Sequence, residues 1–336
     1  MVDFITPSSI DIRANDAIAS STAGANGQLF FNTTSNSLHV YDGISIGGYK
    51  TSLTIRVLPP SAQGSISGYT SGGGISNPVN TIDKFSFSAD GNATDVGDLT
   101  QSRKKMAGQS SSTHGYTTGG IVTPYGYTDR IDKFPFTSDS NASTVGSLTQ
   151  ARSGCVGNES PVSGYSNGGG GIIDKFPFAS DTNAASVGNT LAPNGMYGAG
   201  QSSATHGYAT GHNVPAVDTI EKFPFSSDTN ATDVGELTAA NFGGIGTNSN
   251  SHGYQGKNNL IEEFSFSSDS SATSVGTMSS PVKWYAAGQS STTHGYTSGS
   301  TGSSATIDKF PFSSGGPASA IGNLTQGRYA CTGQQD

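Results

Sequence analysis

Six copies of one short apolar motif, about 45 residues apart, constrain this chain more than any other feature. They are Ile82-Asp83-Lys84-Phe85-Ser86-Phe87 and the segments Ile131 to Phe136, Ile173 to Phe178, Ile220 to Phe225, Ile261 to Phe266 and Ile307 to Phe312. Their first residues lie 49, 42, 47, 41 and 46 apart, a mean of 45. A period of roughly 40–50 residues suits a unit of four short strands, repeated radially as the blades of a β-propeller. Side chains alternate along a strand, so Ile82 and Phe85 point to opposite faces. Apolar groups on both faces require a sheet that is covered on both sides, as stacked blades are. Composition agrees. Glycine supplies 47 of 336 residues and only 12% are charged, against roughly 25% charged in an ordinary domain. Low charge argues against disorder, and neither heptads nor a glycine period of three is present. The expected class is all-β.

Each repeat reads as four strands, A to D. Strand A is the stretch before Gly-Gln-Ser-Ser, as in Arg103 to Gly108. Strand B holds His114-Gly115-Tyr116, strand C is the repeated motif, and strand D runs from Ala93 to Leu99 in the first repeat. Between C and D lies Ser-Asp-x-Asn, whose side chains can bond their own backbone in a turn. The first repeat begins at Ser67-Gly68-Tyr69, which is strand B, while Arg328 to Gln334 copy strand A at the other end of the chain. The C-terminal strand is therefore predicted to complete the first blade. That gives a six-bladed propeller, closed by the C-terminus, without free edges. The alternative donor of this strand is Leu53 to Val57, with a fraying tail.

Spacing within the repeat locates a candidate site. From the Ile of strand C to the next strand-A Gly is 26 or 27 residues in all six repeats, whereas Tyr of B to Ile of C is 13, 15, 8, 12, 7 and 11. Length variation is thus concentrated in the B–C loops, which share a face with the D–A loops. Variable loops on a rigid scaffold are where binding surfaces are built. The candidate ligand-binding residues are Tyr125, Tyr127, Asp129 and Arg130 in the longest B–C loop, His212 and Asn213 in the fourth, and Phe242, Trp284, Tyr285 and Tyr329 on the D–A side. Aromatic rings beside Asp, Asn and Arg suit a sugar, whose C–H faces stack while its hydroxyls bond.

Two resemblances bear on function. Arg103, His114-Gly115-Tyr116-Thr117-Thr118-Gly119-Gly120 and Ile131-Asp132-Lys133-Phe134 resemble a kelch repeat, over about residues 65–336. The double glycine recurs at Gly72-Gly73 and Gly168-Gly169. Separately, Gly27 to Gly43 reads as strand, turn, strand. It resembles a hairpin of tailed-bacteriophage fibre and virion-appendage proteins, and the repeated Ile-Asp-Lys-Phe-Pro-Phe segment is similar to repeats in marine phage structural proteins. These resemblances imply a virion-anchoring or oligomerising region at 1–51, a linker at 52–64 and a propeller at 65–336. They imply a structural virion protein, a tail fibre or similar appendage, that recognises a host-surface glycan. Its partners would be other virion proteins, further copies of itself and the host glycan. A purely structural connector or decoration protein is the second reading, and a glycan-degrading enzyme the third.

Other readings are expected to fail. The net charge of −8 disfavours nucleic acid. No window of 18 apolar residues calls for membrane insertion, and Met1 to Pro7 lacks the pattern of a secretory signal. His114, His206, His252 and His294 share one repeat position, so they spread around the repeats and cannot converge on one metal ion. Cys155 and Cys331 fall in repeats that are not neighbours and are expected as packed free thiols. The Asn-x-Ser/Thr sequences at Asn92, Asn141 and Asn230 are expected to serve the C–D turn. No catalytic constellation stands out, so neither enzyme activity nor a cofactor is expected.

Overall fold

Each repeat folds into a four-stranded antiparallel sheet, with its strands in chain order in sheets 2 to 6. The computed structural model describes residues 63–336 apart from 125, 193–194, 214 and 281–282, together with the backbone of three strands nearer the N-terminus. In sheet 2 the strands are Ala107–Ser110, His114–Thr118, Arg130–Pro135 and Ser143–Ser147. No described residue is helical. The chain divides into two compact units, Met1–Leu58 and Pro59–Asp336. In the first, Leu29–Asn32 pairs with Ser37–Tyr41, in the region read as strand, turn, strand, and a third strand, Tyr49–Lys50, joins Ser37–Tyr41.

Sheet 1 draws on both ends of the second unit. Thr332–Gln335 pairs antiparallel with Ser67–Ser71, Thr332 opposite Ser71 and Gln335 opposite Gly68. The C-terminal tail therefore supplies the first strand of the first repeat. The remaining first strands are Val156–Glu159, Ala199–Ser202, Ile245–Asn248 and Ala287–Ser290. All six start later than the sequence reading placed them and include the Gly-Gln-Ser segment or its equivalent. The residue at the position of Lys105 has a left-handed backbone in every repeat, which a β-strand cannot continue.

Six apolar clusters lie between pairs of sheets. Tyr69, Ile82 and Leu99 of sheet 1 pack on Phe134 and Phe136 of sheet 2. Tyr116, Ile131 and Leu148 pack on Phe176 of sheet 3 in the same way. The pattern continues through sheets 3–4, 4–5 and 5–6. Tyr296, Ile307 and Leu324 of sheet 6 then meet Phe85 and Ala93 of sheet 1. Ile82 and Phe85 thus occupy clusters on opposite faces of one sheet, which is why both can be buried, at 0% and 3% exposure. Each buried side chain of this size contributes about 1.5–3 kcal/mol. Tyr69 stacks on Phe136 at 4.9 Å, and the equivalent pair recurs between the other sheets.

Nearer the first strands the contact is backbone on backbone. A Cβ placed on Gly108, Gly157, Gly200, Gly246, Gly288 or Gly333 would fall on the carbonyl of the equivalent glycine in the preceding sheet, and for Gly108 that neighbour is Gly333. Only glycine allows this approach.

Polar groups join the same neighbours. Gln109 Nε2 donates to the Tyr165 carbonyl of the next sheet at 2.9 Å, Gln201 to Tyr254 at 3.1 Å, Gln289 to Tyr69 at 2.8 Å and Gln334 to Tyr116 at 3.0 Å. Asn158 does the same for Tyr208 at 2.9 Å. Nearer solvent, the strand-C lysines Lys84, Lys133, Lys175, Lys222 and Lys309 pair with Asp139, Asp181, Asp228, Asp269 and Asp90 of the next sheet. The turn asparagines reach the neighbouring repeat rather than their own turn: Asn141 accepts from the Asp98 amide, Asn230 from Asn189 and Asn92 from Asn323. Between sheets 5 and 6 both ion-pair positions change together, to Glu263 and Gly315, and Thr247 replaces the glutamine. Ile245 and Met278 enlarge the apolar cluster there.

The strand-C carboxylates face inward. Asp132 pairs with Arg103 at 2.9 Å, Asp174 with Arg152 at 3.1 Å, Asp308 with Lys283 at 2.8 Å and Asp83 with Arg328 at 3.1 Å, all essentially unexposed. Asp132, Asp174 and Asp83 also accept from Thr100, Thr149 and Thr325 of the neighbouring sheet. In sheets 4 and 5 the cation position holds Gly195 and Asn241, and the carboxylate is the longer Glu221 or Glu262. Glu221 then takes the amide of Leu191 and Glu262 that of Thr238.

Deleting Arg328 to Asp336 removes the first strand of sheet 1 and leaves Asp83 buried without its cation, a loss of about 3–5 kcal/mol from the broken pair alone. The truncated chain is expected to show no cooperative melting transition by circular dichroism. Melting like the intact chain would refute the structural role of the tail.

Candidate binding site at the loop face

The residue three places before each first-strand glycine has a positive φ in every repeat: Lys105 62°, Gly154 67°, Tyr197 64°, Gly243 69°, Tyr285 53° and Ala330 56°. Each amide donates to the carbonyl of its equivalent in the preceding sheet, Gly154 to Lys105, Tyr197 to Gly154, Gly243 to Tyr197, Tyr285 to Gly243 and Ala330 to Tyr285. Lys105 donates to Ala330, so the six bonds return to their starting residue. This backbone suits glycine. A lysine or tyrosine here costs about 1–2 kcal/mol in conformational energy. Bulky and small residues alternate, and the Tyr197 and Tyr285 rings lie over Gly154 and Gly243, respectively.

These residues line a cavity of about 130 Å³ that opens to solvent. Lys105 Nζ donates to Tyr197 Oη at 2.7 Å and lies 4.7 Å from that ring's centroid. Tyr197 meets Tyr285 edge to face at 5.5 Å, and Tyr285 meets Tyr329 at 6.5 Å. Lys104 sits 5.8 Å from the Tyr329 ring. Burial raises the Tyr285 pKa, with smaller effects of Tyr197 and Tyr329 in the same direction. Deeper walls are the first-strand glycines with Met106, Cys155 and Cys331. Both cysteines are free and buried, and burial raises both thiol pKa values.

A second cluster adjoins in sequence. Phe242 meets Trp284 edge to face at 5.7 Å, and Lys257 Nζ lies 5.0 and 5.3 Å from the two rings. Trp284 Nε1 donates to Asn258 Oδ1. Burial lowers the Lys257 pKa and Glu262 opposes that shift.

The structure sorts the sequence candidates. Phe242, Trp284, Tyr285 and Tyr329 belong to these two clusters. Tyr127 is 62% exposed, on a small hairpin of Ile121–Val122 and Gly126–Tyr127 that pairs with Arg103–Lys104. Tyr125 lies outside the described residues. Asp129 is half-buried and its carbonyl accepts from Leu148. Arg130 is turned to its own sheet, where it donates to Thr144 Oγ1 at 2.6 Å. His212 packs on Gly195 with Nε2 3.8 Å from Glu221 Oε1, in the place of the missing cation, and burial lowers its pKa. Asn213 pairs with Ala216 at the tip of its hairpin. Sequence reasoning missed Lys104, Lys105, Tyr197, Lys257 and Asn258. The alternation of glycine with Lys or Tyr at one repeat position was the available signal. The four repeated histidines each share a bond with the hydroxyl just before them, as Thr113 does with His114 Nδ1 at 2.8 Å. Among the described residues no cluster of His, Cys, Asp and Glu could hold a metal ion.

At the far end of the first strands a second ring forms. Glu159 donates its amide to Ser202 Oγ, Ser202 to Asn248 Oδ1, Asn248 to Ser290 Oγ, Ser290 to Gln335 Oε1 and Gln335 to Ser110 Oγ. The Ser110 amide bonds Glu159, whose pKa burial pushes up to about 8. Glu159 lines a cavity there with Ser110, Ser160, Ser203 and Asp336.

Two outcomes follow. Glu159 titrates near 4.3 in the unfolded chain and near 8 when folded. The folded state thus holds the extra proton between those values, so this group's contribution to stability falls as pH rises from about 4 to 8. Melting temperatures across that range are expected to decline less in Glu159→Gln than in the native chain; identical profiles would remove Glu159 as the cause. Lys105→Gly relieves a left-handed lysine, so its melting temperature is expected to match or exceed the native one. A drop of several degrees would show that Lys105 serves stability.

No family model matches this chain, and no curated protein matches it.

Proposed function

We propose that residues 65–336 form a six-bladed, kelch-like β-propeller closed by the C-terminal strand. On this reading the chain is a non-enzymatic structural protein of a tailed-phage virion, a tail fibre or similar appendage, that uses its loop face to recognise a host-surface glycan. Support for the propeller comes from the six apolar clusters, the last joining sheets 6 and 1, and from the hydrogen-bond circuit through Lys105 and Ala330. Residues 1–51 would attach to other virion proteins or to further copies, a role that rests on the resemblance of Gly27 to Gly43 to phage-fibre hairpins.

One observation carries the recognition role: Lys105, Tyr197 and Tyr285 occupy left-handed positions where the backbone favours glycine. Side chains needed at the cavity would account for these residues at positions that suit glycine. Such strained residues gather where a protein binds.

The test is adsorption of the full chain to bacterial cells and their purified envelope glycans. Trp284→Ala and Tyr285→Ala are each expected to weaken binding about 2- to 10-fold, since an aromatic contact contributes roughly 0.5–1.5 kcal/mol beyond its area. Asn141→Ala, in a C–D turn, is expected to leave it unchanged. Equal losses from both faces would place binding elsewhere, and no adsorption at all would favour the connector reading.

A further inference from the structure

The cations left over once every ion pair is assigned all lie in or beside the B–C and D–A loops. From residue 63 onward, nine lysines and arginines are in ion pairs: five on the outer seams and four buried against strand-C aspartates. Among the described residues the four remaining cations are Lys104, Lys105, Arg130 and Lys257. Each lies in a B–C or D–A loop or at the strand end beside one. Counted in the same way, the carboxylates are two, Asp129 in a loop and Asp98 at the strand end beside one. In a chain of net charge −8 this is a local reversal of sign.

Three of the four cations repeat one arrangement, an ammonium beside an aromatic ring. They are Lys105 with Tyr197 at 4.7 Å, Lys104 with Tyr329 at 5.8 Å, and Lys257 with Phe242 and Trp284 at 5.0 and 5.3 Å. Each offers a flat apolar surface next to a positive charge. At the first, Lys105 Nζ and Tyr197 Oη stand 2.7 Å apart, two donors that one carboxylate can bridge. A sugar ring bearing a carboxylate has the matching parts: a C–H face that packs on the ring and an anion for the ammonium.

We propose that the loop face binds an acidic polysaccharide, with successive uronate residues meeting these three pairs. The proposal rests on the glycan-recognition reading and narrows it to an anionic class. A polynucleotide could also use cations and rings, but the overall negative charge of the chain opposes a continuous polyphosphate.

The experiment is titration calorimetry of the full chain with oligogalacturonate, oligomannuronate and hyaluronan fragments. Parallel arms use fully methyl-esterified oligogalacturonate and a single-stranded oligonucleotide. At least one uronate oligomer is expected to bind at least 10-fold more tightly than the ester, with affinity falling as salt rises from 50 to 200 mM. Lys105→Gln and Lys257→Gln are each expected to cost at least 3-fold, and the double variant at least 10-fold, at unchanged melting temperature. Equal binding of acid and ester would overturn the anionic class yet leave glycan recognition standing. Absence of uronate binding, or tighter binding of the oligonucleotide, would overturn the proposal. Loss of cell adsorption in Trp284→Ala together with uronate binding that ignores the lysine variants would also overturn it, while supporting the broader reading.

Discussion

Contact between the backbones of successive first strands is the constraint on which the other features depend. At Gly108, Gly157, Gly200, Gly246, Gly288 and Gly333 the chain passes so close to its neighbour that no Cβ fits. Once these glycines touch, the residues on either side are placed as well. Three positions before, a left-handed residue hands its amide to the sheet before it. Two positions after, an amide finds a side-chain oxygen of the adjacent sheet. Farther from the glycines, the space between facing sheets is filled by the Tyr, Ile, Leu and Phe clusters. These six glycines thus serve a close approach rather than flexibility.

Polar interactions follow the same repeat and change as matched sets. Where the buried cation is present, the carboxylate is the short aspartate. Where it is Gly195 or Asn241, a glutamate extends to other partners, in sheet 4 with His212 filling the vacated space. A buried carboxylate without a partner would be costly, so the two positions cannot vary separately. The seam between sheets 5 and 6 follows the same logic. It lacks the lysine, the aspartate and the glutamine at once, and has a larger apolar cluster instead. Glu263 stands in place of the lysine, where an aspartate opposite it would have set like charges together.

The two ends of the first strands have different chemistry on one scaffold. One end carries lysines and aromatic rings around an open cavity. The other carries serines, amides and the carboxyl groups of Glu159 and Asp336, Glu159 being tied into a ring of backbone amides. The proposed recognition role belongs to the first end, where side chains occupy positions that backbone energetics would assign to glycine.

Local, repeated features were legible in the sequence. The period of the Ile-x-x-Phe motif announced four-stranded sheets covered on both faces, because alternation along a strand is a local property. The orphan copy of the lead-in at Arg328 announced the strand that completes sheet 1. Phe242, Trp284, Tyr285 and Tyr329 were legible as departures from the repeat. What the tertiary structure alone decided was partnership between repeats. That Asp83 meets Arg328, that Asn141 serves the neighbouring sheet, and that Arg130 and His212 turn to their own sheets rather than to the site all depend on distances across the chain. The left-handed backbone at Lys105, Tyr197 and Tyr285 was equally hidden. Non-glycine residues rarely adopt it, and it is imposed by hydrogen bonds to sheets that lie about 45 residues away in sequence.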